Sequence, residues 1–308
     1  MSAIEIEGLT KKFGDVVAVD HLDLAIEKGS VFGFLGPNGA GKTTTLRLLM
    51  GLAKPTSGTA RILGQDIQKN TFDIRMRIGY LPDVPSFYTW MTGRDYLFFV
   101  GELFNIPRQE LDQRVVSLLD FTDLAQVKTK IGGYSRGMKQ RLGLAQAMIN
   151  KPEILFLDEP TSALDPIGRK EVLEMIESLA EGAAGTTVFF STHILSDVER
   201  VCDSVAILNR GRLMTESNLD DLKANYARPI FLLELDSESQ AFENRLQGLP
   251  WVRGIECERN KLKIKVSDLQ IGQVELPGLL SQTRTLLRHF EVVEPSLEEI
   301  FIEMVEKE

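Results

Sequence analysis

The chain has 308 residues, a length that suits roughly two domains, and its 43% hydrophobic and 26% charged residues are those of a globular protein with a sizeable core. A formal net charge of -9 argues against a dedicated nucleic-acid binder, which needs a basic face to neutralise phosphates, so no nucleic acid is expected as a partner. The two cysteines, Cys202 and Cys257, are too few and too far apart for a disulfide scaffold or a zinc cluster and fit a reducing compartment. The start, MSAIEIEG, is acidic and lacks a long apolar run, so a secretory signal is not expected. No stretch approaches the ~20 apolar residues that cross a bilayer; YLFFVGELF, broken by Gly101 and Glu102, comes nearest. Action at a membrane would therefore require another chain to span it.

From Ile4 to Ile26 the runs AIEIEGL and VVAVDHLDLAI alternate apolar and polar residues, the period of antiparallel strands with one wet face. VFGFL (Val31 to Leu35), EILFLD (Glu153 to Asp158) and TTVFFST (Thr186 to Thr192) are short apolar runs separated by helical segments, which predicts buried strands of a parallel α/β sheet. Between the first two lies a stretch that reads as mostly helical, beginning near WMTGRDYLFFVGELF. At WMTGRDYLFFVGELF, Thr92 and Asp95 form a capping-box pattern, and Tyr96, Val100 and Leu103 keep helical spacing. YSRGMKQRLGLAQAMI, from Tyr134, starts like a helix capped by Ser135, yet sets a glycine and basic residues where a core helix would be apolar. VAILNRGRLMTES predicts a hairpin turning at Asn209 to Gly211.

After about Ser217 the strand PIFLLEL, a helix around Phe242 to Leu246, and strands VRGIECE and KLKIKV joined at Arg259-Asn260 follow one another. With a helix around Leu279 to Leu287 and a short EVVE, they predict a small βαββαβ unit. A last helix starts at PSLEEIF, where Ser296 and Glu299 form another capping box. The expected division is residues 1–217, with a helical insert at about 84–150, and residues 218–308.

GPNGAGKT, comprising Gly36, Pro37, Asn38, Gly39, Ala40, Gly41, Lys42 and Thr43, directly follows the strand ending at Leu35. It precedes a helical run from Thr44 to Met50, the setting a phosphate-binding loop requires. The glycines let the loop wrap so that backbone N–H groups point inward at phosphate oxygens, while the helix aims its positive end at the same point. Lys42 then bridges the β- and γ-phosphates, and the Thr43 hydroxyl ligates Mg²⁺. ILFLDEP supplies the complement: an apolar strand delivers Asp158 to hold Mg²⁺ and Glu159 to polarise the attacking water. SALD (Ser162 to Asp165) follows, and His193 closes the strand TTVFFSTH, where an imidazole beside a γ-phosphate can hydrogen-bond it and sense its loss.

This ordered set of motifs resembles the nucleotide-binding subunits of ABC transporters, over roughly Ile4 to Leu213. In that family a signature, usually LSGGQ followed by QQR, opens a helix whose N-terminus meets the ATP held by a second cassette's phosphate loop; YSRGMKQR occupies its place here. The resemblance implies an α/β fold: a P-loop NTPase ABC cassette with a mixed sheet core, an antiparallel β subdomain and a helical insert, followed here by a small α+β C-terminal domain. It also implies that Ser135 and Gly137 reach a γ-phosphate, that Asp165 connects two sites, and that two copies pair head to tail around two ATP molecules. Phe13, in KKFGD, matches the aromatic that stacks on adenine, the alternative being a hairpin phenylalanine. GYLPDVPSFY sits where the family has its Q-loop, with Asp83 at the glutamine position: a metal ligand, or a plain turn flanked by prolines. Arg136 replaces a signature glycine, and an ordinary helical backbone is expected there.

The variants YLPD and YSRGMKQR, with the tail EPSLEEIFIEM, look like the subgroup serving ABC-2 type permeases, which export drugs, antibiotics, lipids, polysaccharides or ions. That implies an integral membrane permease as partner and a peripheral location on the cytoplasmic face of the cell membrane. A soluble ABC ATPase acting on ribosomes or DNA is the alternative; such proteins usually carry two cassettes or a long coiled-coil insertion, and neither is visible. The Asn-Lys-x-Asp motif with which GTPases read their base is missing too.

Overall fold

A computed structural model of the chain describes residues 2–162, 164–181, 185–226, 229–238, 240–293 and 295–306. The alternating runs at the start pair as antiparallel strands, β1 (Ser2–Phe13) with β2 (Val16–Glu27). β3 (Val31–Leu35) is buried at every position and leads into α1 (Lys42–Leu49). The chain then returns to the first sheet with β4 (Ser57–Ile62) and β5 (Gln65–Asp66), giving the order β2-β1-β4-β5. α2 (Thr71–Arg77) and β6 (Ile78–Leu81) follow. These three strands precede the expected helical stretch and were not foreseen. Each is short; β4 and β6 are held by distant neighbours rather than by their own pattern, Ile62 pairing with Ile4 and Ile78 with Ile154, while β5 pairs with β4.

α3 (Gly93–Leu103), α4 (Arg108–Phe121) and α5 (Arg136–Ala147) form the helical insert around a core of their own that includes Leu97, Leu111, Val115, Ile131 and Leu142. The caps read from sequence are made: Thr92 Oγ1 accepts from the Asp95 N–H at 3.2 Å, and Ser135 Oγ from the Met138 N–H at 3.2 Å. Tyr96 and Val100 are buried, but Leu103 is turned outward and 66% exposed.

β7 (Ile154–Asp158), α6 (Pro166–Glu181), β8 (Thr187–Thr192), α7 (Leu195–Val201), β9 (Ser204–Asn209) and β10 (Arg212–Asn218) complete a six-stranded sheet of order β10-β9-β3-β8-β7-β6. Every neighbouring pair is parallel except the hairpin β9-β10, which turns at Arg210 and Gly211, both with positive φ. Phe189 is the centre of this sheet's packing, with ring centroids of Phe34, Phe156 and Phe32 at 4.9, 5.5 and 5.8 Å.

The chain divides into two compact units, Met1–Leu219 and Asp220–Glu308. After α8 (Leu219–Asn225), the second unit runs β11 (Ile230–Leu235), α9 (Gln240–Leu246), β12 (Val252–Glu258), β13 (Lys261–Val266), α10 (Leu269–Thr283), β14 (Leu287–Val292) and α11 (Leu297–Glu306). Its antiparallel sheet has the order β12-β13-β11-β14, as a βαββαβ unit requires, and Phe231, Leu233, Leu262 and Ile264 pack on Phe242, Leu276 and Leu280 of the helices. The expected helix at 279–287 is displaced. α10 starts ten residues earlier by the two ranges, where Asp268 Oδ1 accepts from the N–H groups of Gln270 and Ile271, and it ends at Arg284 in the left-handed region, so that Leu287 opens a strand. Glu294 of the EVVE run lies outside the described residues.

Phe189→Ala removes the ring on which three others pack, and a loss of about 3–5 kcal/mol is expected for such a truncation. It should appear as a lower urea midpoint for the unfolding of the first unit, followed by circular dichroism.

Candidate nucleotide site

Four parallel strands stop at one edge of the six-stranded sheet, β3 at Leu35, β8 at Thr192, β7 at Asp158 and β6 at Leu81, side by side in that order. The residues that follow them are Gly36, His193, Glu159 and the pair Pro82-Asp83. Ligands of open α/β sheets bind outside such carboxyl ends. The sheet thus collects residues that are scattered in sequence.

The loop from Gly36 to Thr43 is shaped by close approach. A Cβ on Gly36 would fall 2.5 Å from the Leu208 carbonyl oxygen, and one on Gly41 (φ +106°) would fall 2.4 Å from that of Ala18. Gly39 faces open space, and its φ of +82° is what favours glycine there. Pro37, Asn38 and Gly39 are exposed, Ala40 is buried, and Thr43 and Thr44 are half-buried at the start of α1. α1 has no side-chain cap and no acidic residue in its first turn, so its positive end is left for an anion.

Lys42 is buried, and its ammonium has three partners: the carbonyls of Gly36 at 2.7 Å and Pro37 at 3.3 Å, and Glu159 Oε1 at 3.2 Å. The other carboxylate oxygen of Glu159 lies 2.8 Å from His193 Nδ1, a ring nitrogen that must carry the proton to donate to it. It also accepts longer bonds, at 3.4 Å, from Thr192 Oγ1 and the His193 N–H. Glu159 has φ +50°, and its own N–H donates to the Ser191 carbonyl at 2.8 Å, which fixes the strand-end turn. The carboxylate is thereby clamped between lysine and histidine.

Asp158 is buried and accepts from Thr43 Oγ1 at 3.3 Å and Ser191 Oγ at 3.1 Å. Burial pushes its pKa up from the ordinary 3.8; those two hydrogen bonds pull against it, and the charges of Glu159 and Asp83 add to the push. The neighbouring Tyr80 phenol is pushed up to about 12 by burial and then by Asp158, with a smaller contribution from Asp83 and with Arg47 opposing. Asp83 itself is exposed and accepts from Ser162 Oγ at 3.0 Å, which ties the turn after β6 to the SALD segment.

Asp165 caps α6 through the Gly168 N–H at 2.7 Å, while Ala163 lies outside the described residues. Ser135, Arg136, Gly137 and Arg141 line a separate cleft of about 380 Å³ together with Asp165 and Gly168; no residue of the Gly36–Thr43 loop lines it. Arg136 opens α5 with no positive φ, as expected for an ordinary helical backbone. Phe13 ends β1, 55% exposed, with Lys11 Nζ 4.8 Å from its ring centroid; Ala18 of the same hairpin touches Gly41. A roomier cleft of about 770 Å³, between α4 and α6, holds none of these residues.

Sequence reasoning missed the anchors. Ser191 holds both Asp158 and Glu159, and the fully buried Asp197 accepts from Thr161 Oγ1 and pairs with Arg169 at 2.6 Å, joining the segment after Glu159 to the helix after His193. The S-T-H ending of β8 was the available signal for Ser191. Asp197 and Arg169 carry no local one.

Two family profiles match the chain: ABC transporter over residues 19–162, and ATP-binding protein DrrA1-3-like, C-terminal domain, over residues 218–305. The uncharacterized ABC transporter ATP-binding protein YxlF of Bacillus subtilis is 40% identical over 98% of this chain and 99% of its own. The daunorubicin/doxorubicin resistance ATP-binding protein DrrA of Streptomyces peucetius is 35% identical over 97% of this chain and 91% of its own. Among solved structures, a dimeric ATP-binding cassette in a post-hydrolysis state, bound to ADP and Pi, superposes with a TM-score of 0.64 at 25% identity, covering 70% of this chain and 98% of that one. The chain belongs to the ABC transporter ATP-binding proteins. It is an ATP-hydrolysing subunit built on the ABC cassette fold, and it binds nucleotide.

The raised pKa of Asp158 has a consequence for stability. A carboxyl whose folded-state pKa exceeds its unfolded value opposes folding when ionised; the penalty is full above the folded-state value and fades as pH falls toward 3.8. Asp158→Asn keeps an acceptor for Thr43 and Ser191 without the charge. Without nucleotide and in a metal chelator, it should raise the urea midpoint at pH 7, and the gain should shrink as the pH is lowered.

Proposed function

We propose that two copies of this chain close head to tail around two ATP molecules, and that closing and reopening power export through a separate membrane permease of ABC-2 type. The observation that carries this reading is the division of the site within one chain. Lys42, Asp158, Glu159 and His193 gather at the strand ends, whereas Ser135 and Gly137 face another cleft that contains none of the phosphate loop. A two-fold pairing of cassettes brings the loop of one copy to the capped helix of the other.

In this reading the backbone N–H groups of the loop and the end of α1 cradle phosphate, and Lys42 spans the β- and γ-phosphates. Phe13 offers its exposed ring to adenine. Phosphate oxygens compete with Glu159 for Lys42 and for His193, so binding of the nucleotide itself frees the clamped carboxylate. Glu159 then takes a proton from the attacking water, the new P–O bond forms as the bond to the bridging oxygen breaks, and ADP leaves with inorganic phosphate. Ser135 and Gly137 of the opposite copy meet the γ-phosphate by hydroxyl and N–H, and Asp165 links the two sites.

The residues present fit Mg²⁺. Thr43 Oγ1 and buried Asp158 already meet at 3.3 Å, with Asp83 at the next strand end, and no group of three or more metal-ligating side chains stands together among the described residues. So few protein ligands suit an ion that keeps its waters and phosphate oxygens. When bound it supplies charge neutralisation at the transferred phosphoryl group.

Among the described residues no helix is long and apolar enough to cross a membrane. A cleft of about 260 Å³, lined by Leu52, Tyr80, Val100 and Phe104, has strongly exposed apolar residues nearby in the chain: Phe72, Val84, Trp90 and Leu103. We assign this face to the permease, which places the chain peripherally at the cytoplasmic side of the membrane. The match of residues 218–305 to the DrrA-like C-terminal domain and the likeness to a drug-resistance protein support the exporter reading. Residues 1–217 then serve as the nucleotide-binding domain and 218–308 as an accessory domain.

Glu159→Gln should lower turnover by at least about 10²-fold and accumulate an ATP-bound dimer in sedimentation; near-normal ATPase would remove Glu159 from its role. In that background, with exposed Cys257 replaced by serine, Asn38→Cys and Ser135→Cys should crosslink between chains when ATP is present and not in its absence. No crosslink between chains at saturating ATP would sink the two-copy site.

A further inference from the structure

Tyr134 stands where the family signature has leucine, and its hydroxyl is a misfit in an apolar setting. The residue is 5% exposed, inside the core of the helical insert, and its oxygen has no hydrogen-bond partner among the described residues. It lies against the first residue of α3: a Cβ on Gly93 would fall 2.7 Å from the phenol oxygen. The next contact of that Cβ, Leu142 Cδ1 at 3.4 Å, is at the edge of ordinary packing. Gly93 has no positive φ, so the backbone does not ask for glycine there. The Tyr134 hydroxyl does. Burial pushes the phenol's pKa up, and the Gly93 backbone N–H beside it opposes that push without the alignment of a hydrogen bond.

This contact closes a strap. The Ile131 N–H donates to the Met91 carbonyl at 2.9 Å, the Gly132 N–H to Thr89 at 3.0 Å, and Thr92 and Lys130 form a β-bridge. Exposed Tyr88 and Trp90 lie at one end of it, on the segment assigned above to the permease, and Ser135, the cap of α5, lies at the other. Backbone bonds alone stop at Gly132 and the turn to Tyr134, whose N–H donates to Ile131 at 3.0 Å. The phenol carries the connection on to the start of α3.

We propose that Tyr134 is a positioning residue: by fitting its hydroxyl over Gly93 it holds Ser135 in register with segment 84–92, so that displacement of that segment is delivered to the half-site meeting the other copy's ATP. The proposal rests on the two-copy reading above.

The test is a double-mutant cycle in the Glu159→Gln background, reading the ATP concentration for half-maximal dimerisation by sedimentation and the affinity of the monomer for a fluorescent ATP analogue. Gly93→Ala should raise the dimerisation midpoint by about tenfold and leave monomer affinity unchanged. Adding Gly93→Ala to Tyr134→Phe, which lacks only the oxygen, should produce no further shift. Gly101→Ala is the control: its Cβ would fall 2.2 Å from Leu111 Cδ1, a closer approach than at Gly93, on the same helix away from the signature. The proposal is overturned if Gly93→Ala acts equally with and without the Tyr134 hydroxyl, or if Gly101→Ala shifts dimerisation as much. Should Gly93→Ala fail to fold, Tyr134→Phe alone must still raise the midpoint by about twofold to threefold, and an unchanged midpoint overturns the proposal. If the Glu159→Gln chain itself stays monomeric at saturating ATP, the two-copy reading fails instead.

Discussion

The pairing of Lys42 with Glu159 is the interaction on which the site's chemistry turns. A buried ammonium without a counter-charge is costly, and in the nucleotide-free chain the neighbouring strand end supplies the carboxylate at 3.2 Å. That arrangement exists only because β3 and β7 both flank β8 in parallel, so that the residues leaving their carboxyl ends converge. Phe189 of the middle strand, wedged among the rings of Phe32, Phe34 and Phe156, sets the spacing underneath. Core packing and the geometry of the candidate site are one constraint here, because the same three strands serve both.

The clamp on Glu159 also explains why the site can be quiet without nucleotide. One carboxylate oxygen is committed to lysine and the other to histidine, so neither is free to draw a proton from water. Both partners are groups that a γ-phosphate attracts more strongly than a carboxylate does, since phosphate offers more charge and more acceptor oxygens. If Glu159 is the base, as proposed, substrate binding and its activation become the same event. Asp158 is different: its partners are hydroxyls, and burial opposes its charge; in the proposed reading a cation relieves that penalty.

What the sequence made legible follows from where each requirement is local. Gly36, Gly39 and Gly41 were readable because they stand at fixed spacing in a strand-loop-helix setting, although the carbonyls for which Gly36 and Gly41 leave room, those of Leu208 and Ala18, are distant in sequence. Asp158, Glu159 and His193 were readable because an apolar strand announces its own end. Ser191, Asp197 and Arg169 were not, since their roles are defined by partners that only the fold brings near. The strands β4 to β6 escaped for the same reason: Gly79 sits where a Cβ would fall 2.0 Å from the Ala147 carbonyl, a tertiary demand with no periodic trace. In the second unit, α10 runs through Gly272 and Pro277, residue types that ordinarily weaken a helix, before reaching the expected start at Leu279. Gly272 is instead the point at which the helix closes on the Phe231 ring, where a Cβ would fall 2.2 Å away.

The stretch that looked least like a core helix, Tyr134 to Arg141, joins these two kinds of requirement. Its cap is local and was legible: Ser135 accepts from Met138 as any N-cap does. Arg136, Gly137 and Arg141 line a cleft shared with Asp165, where Arg141 pairs with Asp123 and Glu171. Tyr134, one residue before the cap, points the other way, into the core of the insert and against Gly93. A single turn of chain therefore carries one side that lines a cleft and an inward anchor held by steric fit. Movement of the anchor moves the surface, because a capped helix start has few soft dihedrals between them.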